Sequence, residues 1–402
     1  MTKQTNPQTA FFFLVVLFFM WAFLTAMNDI LIPFVKELFD FGYTEAALVQ
    51  FCFFGAFFIM AMPAAKLLEK VGFKNGIVIG LFIMGLGAFL FYPASEVVYY
   101  PLFLGALFVL ATGVTILQVA ANPYVAVLGP AKTAASRLNL AQGFNSVAKI
   151  IAPIFGSALI LKGISDMPQA QQAESVQIPY IGLGIALCLL GVVFSFLKLP
   201  EMKDLAESEV DQTSSTGSIF QQRHLVLGAV AIFMYVGAEV SVASFLVSFL
   251  GEPQIAGLIP EQAGRYLSFY WGGLMVGRFI GAGVLQKIAS NMLLAWMSIF
   301  AIVLLLVGIF TQGWLAAWAL IAVGLCCSIM WSNIFTLAIH GLGGLTSKGS
   351  GLLVTAIVGG AVLPLIQGVF ADNIGLQASY FVPIIAILYI LFYAMYGYRP
   401  ND

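Results

Sequence analysis

Asp29 and Glu239 are the only two of eighteen acidic residues set deep within long apolar runs. An uncompensated charge in such a place costs at least about 2.5 kcal/mol. A carboxyl group there can take up and release a proton, bind a cation such as sodium, or close a structural ion pair between helices. The first two chemistries make Asp29 and Glu239 candidate cation-coupling residues; the third is the plain structural alternative. Lys149 is their candidate charge partner, since a buried ammonium must find a carboxylate or lose its proton. It falls in Gln142-x-x-Asn145-x-x-x-Lys149, a spacing that puts three polar groups on one helix face. There it could stand in for a bound cation, or simply extend toward a membrane surface.

A second set of residues suits a ligand rich in hydroxyls, which needs hydrogen-bonding groups and an aromatic face for its apolar side. Asn28, Gln118, Asn122, Gln142, Asn145 and Asn333 supply the first requirement, and Tyr270, Trp271 and Trp331 the second. For each amide the alternative is a hydrogen bond that glues two helices together. Asn122, beside Pro123, reads as satisfying backbone at a kink. Arg278, after Gly277, reads as part of a polar network near one end of its span. His224 and His340 stand near membrane ends without metal-ligand spacing, and Cys52, Cys188, Cys326 and Cys327 read as small core residues. No constellation of nucleophile, base and orienting residue occurs at one level, so the chain does not read as an enzyme, and no cofactor is expected beyond a coupling ion.

The elements that must hold these groups are transmembrane helices. Hydrophobic residues make up 61% of the 402 residues and charged ones 9%, against roughly 25% charged in an ordinary soluble domain. Apolar runs of about 20 residues, enough to cross about 30 Å of hydrocarbon, recur near 10–34, 46–68, 76–92, 101–128, 137–161 and 178–199. Six more follow near 225–250, 264–286, 292–310, 314–339, 350–371 and 376–397. The expectation is an all-α membrane protein of twelve spans in two six-helix bundles: residues 1–199, a polar linker 200–223, and residues 224–402. The first run has no small-residue cleavage site and reads as a retained span. Twelve of seventeen Lys and Arg fall on one side if both termini are cytoplasmic, which predicts that orientation. A net charge of −1 implies no nucleic-acid partner. The expected partners are the lipid bilayer and a small molecule, with the chain acting as a monomer.

The two halves repeat at a near-constant offset: Asn122 and Pro153 correspond to Asn333 and Pro364, each 211 positions on. Phe19-Met20-Trp21 corresponds to Phe233-Met234-Tyr235, which sets Glu239 opposite Thr25, one turn from Asp29. The loop Glu69-Lys70-x-Gly72-x-Lys74 is a degenerate form of the acidic-basic-glycine loop of the major facilitator superfamily.

Within that superfamily the chain resembles the fucose:proton symporter family. The resemblance is carried by Phe18-Phe-Met-Trp-Ala-Phe-Leu-Thr-Ala-Met-Asn-Asp29, by Gln118-Val-Ala-Ala-Asn-Pro-Tyr, by Arg137-Leu-Asn-Leu-Ala-Gln142 and by Tyr235-Val-Gly-Ala-Glu239. It implies cation-coupled symport of a sugar across a bacterial inner membrane, with Asp29 matching the family's first-span carboxylate. Gln118 stands where the fucose permease has a second membrane carboxylate, so a proton-relay role does not carry over to it. The surroundings of Glu239 look like the glucose/galactose branch, and a hexose such as glucose or galactose is expected. The alternatives are a fucose or N-acetylglucosamine permease, a facilitated uniporter or a drug:proton antiporter. The substrate-binding set is Asn28, Gln118, Gln142, Asn145, Trp331 and Asn333.

Overall fold

A computed structural model describes residues 6–40, 43–161, 167–199 and 218–400, and among these it is helical without strands. Most of the linker 200–223 and the side chains of Asn28 and Asp29 lie outside the described residues. The helices are α1 (Pro7–Phe39), α2 (Tyr43–Phe89), α3 (Phe91–Val97), α4 (Tyr100–Val127), α5 (Ala134–Gly156), α6 (Gln169–Glu174) and α7 (Gln177–Phe196). They continue as α8 (Arg223–Gly251), α9 (Pro260–Val284), α10 (Ser290–Phe310), α11 (Gly313–Cys327) and α12 (Met330–Ile339). The last are α13 (Thr346–Thr355), α14 (Gly359–Ile374), α15 (Leu376–Ser379) and α16 (Phe381–Phe392).

Among the described residues, ten stretches are long and apolar enough to cross a membrane. One of them, Leu48–Val97, holds 50 residues, about 75 Å of helix and more than two bilayer crossings. It breaks at Gly72, whose φ of 79° is a conformation that glycine adopts without a side-chain clash. Pro260–Val284 is a further helix of 25 residues, long enough to cross but diluted by Arg265, Arg278 and its glycines. With the long stretch divided and this helix added, the expected twelve spans are accounted for.

Several spans are not single uniform helices. The fifth continues past Pro153 into a π-helical turn at Ser157–Leu161, and the tenth breaks between α11 and α12. The eleventh is interrupted by a 3-10 turn at Ala356–Val358. Proline inside a helix removes a backbone donor, and such local adjustments re-satisfy the freed groups.

The described helices group into two compact units: Met1–Leu128 with Phe144–Val210, and Gly129–Gly143 with Asp211–Asp402. The first ten residues of α5, 134–143, thus belong to the second unit. Within the first unit α4 packs along α2, and the Lys74 ammonium donates to the Ser195 carbonyl at 2.8 Å, tying the α2 break to the end of α7. Within the second unit α9 approaches the α11–α12 junction through Gly273, Gly277 and Gly281, spaced four apart. A Cβ on Gly277 would strike Ser328, and one on Gly281 would strike Ile329. That close approach sets the rotation of α9 and hence the direction of Tyr270 and Arg278. On the other flank of α8, a Cβ on Gly359 of α14 would overlap the Phe233 carbonyl.

Candidate functional site

The second unit holds Glu239, Tyr270, Trp331, Asn333, Gln142 and Arg278 among the described candidates. The Glu239 carboxyl lies on α8 at 7% exposure. Tyr235, one turn earlier, and Tyr270 of α9 are both fully buried beside it. The Tyr270 hydroxyl donates to the Glu239 backbone carbonyl at 3.0 Å. Trp331 of α12 sits 6.5 Å from the Tyr235 ring and stacks on Phe335 at 5.9 Å. Cys327, at the end of α11, lies within electrostatic range of Glu239 and Arg278.

Several buried polar atoms of the second unit have no hydrogen-bond partner among the described residues: the Tyr235 hydroxyl, the Trp331 indole N–H, and both ends of the Asn333 amide. Asn333 has no exposure at all. Each such buried orphan costs about 1–3 kcal/mol, so each is suited to meeting a hydroxyl or an ion supplied from outside the chain. No cluster of three or more His, Cys, Asp or Glu side chains comes together among the described residues. At Glu239 a cation would find one carboxylate and neutral oxygens, a donor set suited to a proton or a hard monovalent ion rather than to a transition metal.

A polar seam joins α5 to α9 and α12 within the same unit. Ser136 Oγ donates to the Ala282 carbonyl at 2.6 Å and Asn139 Nδ2 to the Arg278 carbonyl at 2.7 Å. Arg278 Nη1 donates to the Gln142 carbonyl at 3.1 Å, and Ser332 Oγ to Asn139 Oδ1 at 3.1 Å. Asn139 and Ser332 escape the sequence reading. The available signal was spacing, since Asn139, Gln142 and Asn145 form a stripe at every third residue.

In the first unit the candidates are placed less densely. Asn145 is buried, and its Nδ2 donates to the Phe18 carbonyl at 3.2 Å, joining α5 to α1. Gln118 is half-buried on α4, and its backbone carbonyl accepts from Asn122 Nδ2 at 2.9 Å. Asn122 thus bonds one carbonyl away from the one that Pro123 leaves without its helical donor. Lys149 is half-buried, whereas Gln142 is buried and belongs to the second unit. Gln118, Gln142 and Asn145 are therefore divided between the two units.

A helical protein of twelve spans with buried polar groups at mid-helix is a polytopic membrane protein of the kind that passes solutes. Residues 10–357 match the Major Facilitator Superfamily, and the chain belongs to that superfamily. It is 50% identical over 396 residues to a glucose/galactose transporter of Brucella abortus (strain 2308), covering 98% of this chain and 96% of the relative. The L-fucose-proton symporter of Escherichia coli (strain K12) is 34% identical, with 94% and 91% covered. The crystal structure of the E. coli fucose:proton symporter FucP matches with a TM-score of 0.87 at 32% identity, covering 98% of this chain and 99% of that one.

Proposed function

We propose that the protein is a secondary active sugar transporter that carries a hexose, glucose or galactose, in symport with a proton or sodium ion. The observation that carries this reading is the 50% identity, over nearly the whole of both chains, to a protein named as a glucose/galactose transporter. The orphaned polar atoms of Tyr235, Trp331 and Asn333 support it, because a hexose presents hydroxyls for such atoms and an apolar ring face for the indole. In this reading Asn28, Gln118, Gln142, Asn145, Trp331 and Asn333 bind sugar, while Asp29 and Glu239 meet the coupling ion.

Transport proceeds by alternating access, with bundles 1–199 and 224–402 joined by the linker 200–223. The chain is a carrier rather than an enzyme, acts as a monomer in a bacterial inner membrane, and keeps both termini in the cytoplasm. Uptake of labelled glucose, galactose, fucose and N-acetylglucosamine into proteoliposomes, with sodium and pH gradients imposed separately, tests the reading. Accumulation of a hexose above equilibrium under one gradient is expected. Equal uptake with neither gradient would make the protein a uniporter, and no uptake of any of the four would overturn sugar transport.

A further inference from the structure

By sequence α5 is the fifth span of the first bundle, 1–199, yet its first ten residues, 134–143, pack in the second unit. Three residues make the attachment. Ser136 and Gly143 stand seven positions apart on one helix face with Asn139 between them, covering about 10 Å of helix. Ser136 Oγ donates to the Ala282 carbonyl at 2.6 Å, two residues before the end of α9. Gly143 lies so close to α9 that a Cβ there would stand 3.0 Å from the Phe279 ring.

Asn139 is fully buried and binds two further helices at once. Its Nδ2 donates to the Arg278 carbonyl of α9 at 2.7 Å, and its Oδ1 accepts from Ser332 Oγ of α12 at 3.1 Å. The bare backbone of Gly281 makes the room: a Cβ there would come within 2.8 Å of Asn139 Nδ2. Each of these bonds joins a neutral amide or hydroxyl to a neutral oxygen. Such bonds have a small net worth once water can replace either partner, so the attachment holds while dry and exchanges readily when wetted.

We propose that Asn139 is the latch of the inner gate. A carrier that works by alternating access must part, once per cycle, any stretch of one bundle that is held by the other, and 134–143 is such a stretch. While the amide bonds both Arg278 and Ser332, the cytoplasmic end of α5 stays against α9 and α12 and the inner side is shut. Exchange of the two bonds for water frees that end. Gln142 and Asn145, three and six residues further along α5, are then reached from the cytoplasm. The inference rests on the transport reading for alternating access and for the cytoplasmic placement of this end, and on no choice of sugar or ion.

The test needs neither sugar nor an ion gradient, so its failure is distinct from failure of the sugar-transport reading. The full-length Ser136→Cys variant, with a thiol in the seam, is reacted with N-ethylmaleimide in proteoliposomes. Modification at position 136 is quantified by mass spectrometry against native Cys188, which packs on α2 beside Gly85. Adding Asn139→Ala should raise the rate at 136 about tenfold, as loss of two hydrogen bonds implies, while the rate at Cys188 stays the same. Adding Ser332→Ala instead should raise it about threefold, for one bond. The combination should match Asn139→Ala alone, because the bond that Ser332 makes is already gone. An unchanged rate at 136 in Asn139→Ala, with only a lower melting temperature, would make Asn139 a structural link between helices and overturn the proposal. Equal acceleration at Cys188, or effects of the two substitutions that multiply, would overturn it as well. If Asn139→Ala fails to insert, Ser332→Ala, which leaves the Arg278 bond intact, decides the matter by the presence or absence of faster labelling at 136.

Discussion

Tyr270 holds the peptide of Glu239, its hydroxyl donating across 3.0 Å to the backbone carbonyl of the buried acid. The phenol therefore fixes α8 against α9 without occupying the carboxyl group, which remains available to an ion or a proton. Tyr270→Phe should lower thermal stability in detergent by about 1 kcal/mol, the usual net worth of one hydrogen bond. Gradient-driven uptake should persist. Loss of ion coupling with unchanged stability would mean that the hydroxyl serves the ion and not the helix contact.

The two mid-span acids separate under isosteric change. Asp29→Asn keeps shape and hydrogen bonding but binds no proton or cation, so it should abolish accumulation while leaving part of sugar-for-sugar exchange, which needs no return of an empty carrier. Measuring both activities on one preparation shows that split. Full accumulation by Asp29→Asn would remove Asp29 from coupling, and the same split in Glu239→Gln alone would transfer the role.

Gln118→Ala and Asn145→Ala should each raise the half-saturation concentration for sugar about fivefold, as a lost hydroxyl partner of about 1 kcal/mol implies. They differ in stability. Asn145 also donates to the Phe18 carbonyl, so its variant should melt earlier as well. Unchanged half-saturation in Asn145→Ala, with only the stability loss, would leave that residue a link between α1 and α5.

Gly359→Ala places a methyl group against the Phe233 carbonyl, where the backbones of α14 and α8 meet. Overpacking of this kind costs about 1–3 kcal/mol, and thermal unfolding should show it. Gly375→Ala is a useful contrast. Its cost comes from a φ of 91° rather than from a neighbour, so it should disturb α8 and Glu239 far less.

Much of the fold is legible in the sequence because lipid imposes a length rule: runs of about 20 apolar residues stand out wherever they occur. Even α9, diluted by its arginines and glycines, is legible as an apolar run near 264–286 between Gly, Pro and charge breaks. Interruptions inside spans are not legible in the same way. The π turn at Ser157–Leu161 and the break between α11 and α12 leave the apolar runs that contain them unbroken, so hydropathy does not mark them.

The candidate site divides along the same line. Glu239 is conspicuous because a carboxylate among apolar residues is rare. Asn139 and Ser332 are ordinary amide and hydroxyl residues until Arg278 and α5 meet them. Tyr235 looks like packing, and only burial of its hydroxyl without a described partner separates it from the other aromatic residues.

Gly273, Gly277 and Gly281 cut three notches along one side of α9, and Ser328 and Ile329 fill the last two like keys in a keyway. A helix seated in this way resists rolling about its own axis, because any roll drives a bare backbone into a side chain. Sliding along the axis is also limited, since the next notch lies four residues away, about 6 Å. Tyr270 and Arg278 are thereby geared to one another: a displacement felt at the phenol is delivered to the guanidinium two turns on, with its direction preserved.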